Sequence, residues 1–591
     1  MLESRRERLG PRTCPVCRYP RAVRTAQVIA VVLAAGLIAT EAVAQPAPDV
    51  GALRDEYRAL RRIQEVLGWF TSTQGEEALG SLTYVGHERL FGKEALAAVD
   101  AARAKPGLSA DEALGLRFLR RALAGEQVSL KLAHFDDELD AAESAATATV
   151  PFEKDPIPYR NLPLRIAAEA DPTRRAQLYT ASTKVVSTEL DPILLRKETE
   201  AQAAARAAGY ADYVAMSEEL RAVKLDDLLR SGVAYVRATD AVFKKTAERV
   251  AREEIGVGLD KMRASDFGRL WKAPALAGLF EKDLQLDSLA VFLGGIGLDM
   301  KTAAGGEVKV DDSLHPKKRP RAFVSAVDPP RDVRLSVKPQ GGLDDTWTLF
   351  HEAGHAVHFA STTVEPWENK ILGHGAPTEA FGEFFRHAFS DPRFLKRYRD
   401  FLVAHKKPAP TNAQLAAVLR RTALVEMYYI RRYAFAKVAY ELRLHGRPLA
   451  EIGPALALLP QADRVKGDGD AALRELYRQA FSVAYGYTLN DEEASRYRVD
   501  VDDTFYSADY ARAFALAGMM HEAMRKKFGL DWYANPAVGK FLREQLFSRG
   551  TALSTEDVAA RLGFAPKVDF DVAAKRAARL VADADALEAA R

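Results

Sequence analysis

The stretch that most constrains this chain is Thr346-Trp347-Thr348-Leu349-Phe350-His351-Glu352-Ala353-Gly354-His355-Ala356-Val357-His358-Phe359-Ala360. It is mostly apolar, has no proline and a single glycine, and carries His-Glu-x-x-His at His351, Glu352 and His355. Its composition predicts a helix, and on a helix residues four apart share one face. Two imidazoles so placed can take two corners of a tetrahedral zinc site, with Glu352 beside the metal as a general base.

Zinc needs a third protein ligand and an open position for water. His358 fails on distance: seven residues beyond His351, it stands ~10.5 Å along the helix axis, too far to share one ion. The metzincin spacing is absent, since His358 occupies the place of its glycine and Ser361 that of its third histidine. A carboxylate from a second helix is the remaining solution. A helix is predicted from Thr378, as cap, through Glu379, Glu383 and His387. One of the two glutamates can bind zinc while the other supports a ligand histidine from behind. A helix-start glutamate stabilised by the macrodipole competes with the ligand role at Glu379. Glu365 and Glu368, in the intervening loop, are weaker alternatives.

The clear β signal directly precedes this helix. Residues 321–327 and 332–338 read as two short strands joined at Asp328-Pro329-Pro330-Arg331, with Val333, Leu335 and Val337 alternating with polar residues. Such a strand offers an edge on which an extended peptide can lie, and 332–338 is the strand expected to receive it. The preceding Pro316-Lys317-Lys318-Arg319-Pro320 reads as a solvated basic loop.

His351-Glu352-x-x-His355 followed by Glu379-Ala380-Phe381-Gly382-Glu383 resembles the angiotensin-converting-enzyme family. Lys318-Arg319-Pro320-Arg321-Ala322-Phe323, the run from His351 to His358 and the tail from Leu546 to Pro566 are closer in look to the thimet oligopeptidase and oligoendopeptidase F family. The resemblance covers about residues 322–566; in the amino-terminal half it is one of texture and of the segment Ala208 to Tyr213. It implies a mainly α gluzincin fold, two helical halves around a deep channel, with one small sheet beside the zinc helix. It also implies zinc held by His351, His355 and Glu379, Glu352 as base, and Glu383 behind a ligand. Within Asp502 to Arg512 it implies that Tyr510 stabilises the oxyanion and that Tyr506 faces the substrate. The match ends there: Val499, Asp500 and Val501 stand where these families carry a histidine, and Asp509 where the converting enzymes keep a chloride-linked arginine. Chloride activation and a carboxylate-anchoring dipeptidase pocket are therefore not expected from the resemblance.

The rest of the chain reads as helices, from about Val50 to Gly295 and again in Asn412–His445, Ala471–Tyr485, Ala508–Phe528 and two segments after Ser554. The expected division is 1–44, 45–320 and 321–591. The first segment reads as a secretory signal: arginine-rich, then apolar from Ala26 to Ala39, then Ala42-Val43-Ala44 before Gln45. It holds both cysteines, Cys14 and Cys17, and seven arginines against three acids. Its removal would leave a cysteine-free, near-neutral, unanchored body. That balance argues against nucleic acid as partner and suits a periplasmic or secreted protein. The expected activity is zinc-dependent hydrolysis of oligopeptides. The rivals are a secreted peptide-binding protein without turnover, which the intact Glu352 argues against, and a zinc amidohydrolase on a non-peptide substrate.

Overall fold

In the computed structural model, residues 48–590 are described, apart from 76–79 and 468. The expected signal segment and both cysteines lie outside the described residues. Among the described residues no helix is long and apolar enough to cross a membrane.

The chain is mainly α, as expected. The helices used below are α1 (Val50–Gln74), α2 (Ala110–Ala145), α3 (Leu225–Glu254), α4 (Leu343–Ala360), α5 (Gly375–Arg386), α6 (Asn412–Ile430), α7 (Ser507–Phe528) and α8 (Phe570–Ala589). Their burial follows their periodicity. In α3, Leu225, Leu228, Leu229, Val233 and Val236 fall on one face at helical spacing, and all are buried. Each such side chain contributes roughly 1.5–3 kcal/mol relative to exposure.

One core joins residues 128–270 with residues 423–581; α3 packs there on α6, on α8 and on the π-helical turn Arg431–Lys437. A second core runs from Ala273 to Ala584 and encloses α4 and α5. Neither core divides at residue 320.

Two small sheets form among the described residues, one more than expected. β1 (Thr147–Ala148) pairs antiparallel with β2 (Ile157–Pro158). The second sheet has the order β3-β5-β4, with β3 at Lys309–Asp311, β4 at Phe323–Asp328 and β5 at Asp332–Ser336. β4 and β5 are the expected hairpin, antiparallel with an irregularity between Ser325 and Asp328. β3 was not visible in the sequence: it is three residues long and leaves Val310 exposed, so it has no alternation to read.

β3 overturns one expectation. It pairs parallel with β5, so β5 is central and both its backbone edges are used. A peptide cannot add to it. The strand with an unpaired side is β4, which packs on both α1 and α4 and whose outer edge makes no backbone hydrogen bond among the described residues.

The basic loop also differs from expectation. Lys318 is buried, its ammonium donating to the carbonyls of Asp311 and Val337 and pairing with the Asp311 carboxylate at 3.1 Å. It ties the ends of β3 and β5 together, and three oxygens compensate its desolvation.

Candidate metal centre

Helix α4 starts at Leu343 with Asp344 and Asp345 in its first turn, where the macrodipole favours acids. Asp345 also accepts the N–H groups of Gln340 and Gly341, fixing the chain between β5 and the helix. The 18-residue helix then buries His351, His355 and His358, leaving Glu352 partly open.

Helix α5 begins at Gly375, earlier than the expected Thr378, whose hydroxyl instead donates to the His374 carbonyl. Glu379 is therefore the fifth residue of α5 and buried, well inside the helix. The macrodipole role that competed for it falls away, since that effect is confined to the first turn.

Three donor atoms converge. His351 Nε2 and His355 Nε2 are 3.0 Å apart, and Glu379 Oε2 lies 3.3 Å from the first and 3.6 Å from the second. Zinc bonds of about 2.0–2.1 Å put neighbouring tetrahedral ligands about 3.3–3.4 Å apart, so these separations straddle the required value. The buried Glu379 Oε2 has no hydrogen-bond partner of its own, a cost of about 1–3 kcal/mol unless something cationic meets it. Burial opposes a charge on His351, yet Glu383, Glu379 and Glu352 outweigh it and push the imidazole up to about 10. Burial would raise the Glu379 carboxyl, but His355 and His351 hold it well below its ordinary value. Both shifts have one cause, the close packing of carboxylates and imidazoles, and the buried His351, His355 and Glu379 set could hold a metal ion.

Glu383 lies on the far side of His351 from Glu379 Oε2, one helical turn after Glu379. Its Oε1 is 3.1 Å from His351 Nδ1, which turns Nε2 toward Glu379. Behind Glu383 runs a buried line of groups that the sequence reading missed. Its other oxygen is 3.7 Å from His387, whose Nδ1 is 3.4 Å from Glu426, and Glu426 accepts from Arg576 of α8. The one sequence signal for it was the Glu383/His387 spacing of one helical turn.

The alternatives find other partners. His358 Nε2 lies 3.0 Å from the Gly550 carbonyl oxygen. Glu368 pairs with Arg54, and Glu365 pairs with Lys370.

Across from α4, the tyrosines sit at the start of α7. The Tyr506 hydroxyl donates to Glu379 Oε1 at 2.5 Å, so it steadies the carboxylate rather than standing free. Its position rests on a strained turn: Thr504 (φ 51°) and Phe505 (φ 54°) are left-handed without being glycine. The Tyr213 hydroxyl accepts the Thr504 N–H at 2.7 Å, and Arg221 donates to the Thr504 carbonyl at 3.0 Å. Arg221 also lies 4.6 Å over the Tyr506 ring and pairs with Asp509 at 3.0 Å. Tyr510 is half-buried, edge-on to Tyr506 and stacked on Tyr433 at 5.6 Å, which stacks on Tyr429 at 5.4 Å. Burial, then the Glu379 charge, push the Tyr510 phenol above its ordinary value, so it stays a proton donor.

A cleft of about 630 Å³ is bounded by α1, α2 and the start of β4, including Phe323 and Ser325. The metal ligands do not line it. No protein-family model matches this chain, and no curated protein matches it.

Proposed function

We propose that the chain is a zinc-dependent peptidase acting on oligopeptides. The observation that carries this reading is the convergence of His351, His355 and Glu379 at tetrahedral-edge spacing, with Glu352 on the same helix and the free edge of β4 alongside. Bound there, zinc would polarise the scissile carbonyl and acidify a water. Glu352, partly open and next to a ligand, takes the proton of the attacking water and returns it to the leaving amine. The neutral Tyr510 phenol donates to the charge that develops on the carbonyl oxygen. Tyr506 and Glu383 hold two of the ligands in register. The substrate lies extended along β4, its backbone completing that strand's unpaired side.

The test is zinc content together with cleavage of a quenched peptide library, for the wild type and for Glu352→Gln. One zinc per chain, cleavage by the wild type, and a zinc-loaded, inactive variant are expected. Zinc-loaded wild type that cleaves no peptide would overturn the reading in favour of a binding protein or a non-peptide amidohydrolase.

A further inference from the structure

Arg221 lies in the first half of the chain and ends the helix Tyr213–Arg221, yet its side chain is spent on the segment that presents the two tyrosines. Its Nε donates to the Thr504 carbonyl at 3.0 Å. One terminal nitrogen donates to the Thr504 hydroxyl at 2.6 Å and to the Asp503 carbonyl at 3.4 Å, and the other donates to Asp509 Oδ2 at 3.0 Å. The guanidinium carbon stands 4.6 Å over the Tyr506 ring. All three nitrogens are engaged, and every one of these bonds ends between residues 503 and 509.

A second arginine closes the contact. Asp509 Oδ1 accepts from Arg512 at 2.5 Å, and Arg512 also donates to the carbonyls of Arg221 and Ala222, at 2.8 and 3.2 Å. Arg221, Asp509 and Arg512 thus form a ring that locks the end of one helix to the start of α7. At its other end the same helix supplies Tyr213, whose hydroxyl accepts the Thr504 N–H. Backbone strain gathers at this junction. Five non-glycine residues are left-handed among the described residues, and three of them, Ala222 (φ 49°), Thr504 and Phe505, lie here. Such conformations persist only where the surroundings over-determine them, and they cluster at working sites.

The turn so held leads directly into Tyr506, whose hydroxyl donates to Glu379 Oε1. With a guanidinium over its face, the phenol has one placement, and that placement ends on a metal-ligand candidate. The task suits arginine: a planar fork can bond several acceptors and lie against an aromatic face at once, whereas an ammonium is a point charge.

We infer that Arg221 is a positioning residue of the metal centre, holding Tyr506 against Glu379 from the first half of the chain. This rests on the metal-binding part of the peptidase reading above.

The experiment is a double-mutant cycle on the full chain, read as zinc affinity by calorimetric titration, with wild type, Arg221→Gln, Tyr506→Phe and the pair, and Arg221→Lys alongside. Arg221→Gln is expected to weaken zinc binding by about tenfold, and Arg221→Lys to recover part of that. In the Tyr506→Phe background the same change is expected to cost less than about twofold, because residues that act through one another are not additive. A role confined to stability would cost the same factor in both backgrounds. That result, or wild-type affinity in Arg221→Gln, overturns the inference. Should Arg221→Gln fail to fold, the cycle is run with Arg221→Lys, which keeps the charge beside Asp509 and loses the fork, under the same two criteria. Cleavage of quenched peptides is measured in parallel. A wild type that shows the coupling and cuts no peptide overturns the peptidase reading alone, and a wild type that binds no zinc overturns both.

Discussion

Gly382 lies against the imidazole of His351: a Cβ at 382 would stand 2.7 Å from Cε1 and 2.8 Å from Nδ1. Gly354 does the same from the other helix, where a Cβ would meet the Phe381 carbonyl oxygen at 2.6 Å. These two hydrogens in place of methyl groups let α4 and α5 approach closely enough for Glu379 to reach both histidines.

Gly382→Ala is expected to push the His351 ring off its position, because its flat face has nowhere to retreat between the helices. Metal affinity should fall on the order of 10- to 100-fold, the usual cost of disturbing a ligand's support. Calorimetric zinc titration of the variant checks this; wild-type affinity would contradict the packing argument.

Glu379→Ala removes a donor atom, and Glu383→Ala removes only the group behind His351. The first variant should lose stoichiometric zinc, and the second should retain it with about 10- to 100-fold weaker affinity. Metal content after gel filtration distinguishes them, and the reverse order would exchange the two roles.

The two tyrosines should separate kinetically. Tyr510→Phe deletes a donor aimed at developing charge and is expected to lower kcat by about 10²–10³-fold with zinc retained. Tyr506→Phe deletes the hydrogen bond to Glu379 Oε1, so its loss should show first in metal affinity. Zinc content and kcat measured on both variants decide the assignment.

Three histidines away from the ligand set tie stability to pH. Burial holds His358 and His374 at about 3 and His445 at about 4. His445 Nδ1 faces the Gln202 amide at 2.9 Å, a contact that neutral imidazole accepts and imidazolium cannot. As pH falls below about 6.5 the unfolded chain takes up these protons and the folded chain resists. The stability they contribute is full above that pH and is lost progressively down to about 3–4. At about pH 5 the loss is on the order of 1–2 kcal/mol per histidine. Tm should drop between about pH 7 and pH 5, less steeply in His445→Gln; a flat profile would refute the argument.

Helix α4 and its two candidate ligands were legible because their information is local: two histidines one turn apart on an apolar run. The third ligand was not legible from spacing, since Glu379 and Glu383 share a face and the choice depends on where α5 crosses α4. Two glycines in the interface set that crossing, and nothing in their local sequence announces it. The strand order failed for a similar reason. Alternation marked β5, and residues 321–327 read as its hairpin partner, but the three-residue β3 decides which of them has a free edge. Lys318 was misjudged because a basic run between prolines reads as solvated, whereas its ammonium finds three oxygens inside. Tyr506 turns onto Glu379 through two left-handed residues that no propensity would predict.

The support behind the metal centre reaches the far end of the chain, through Glu383, His387 and Glu426 to Arg576 on α8. A chain ending at Asp569 is expected to bind zinc at least tenfold more weakly, which titration of the truncated protein checks. The segment bearing the histidines emerges from synthesis long before α8, so a growing chain carries the three donor residues before it carries Arg576, at the end of that line.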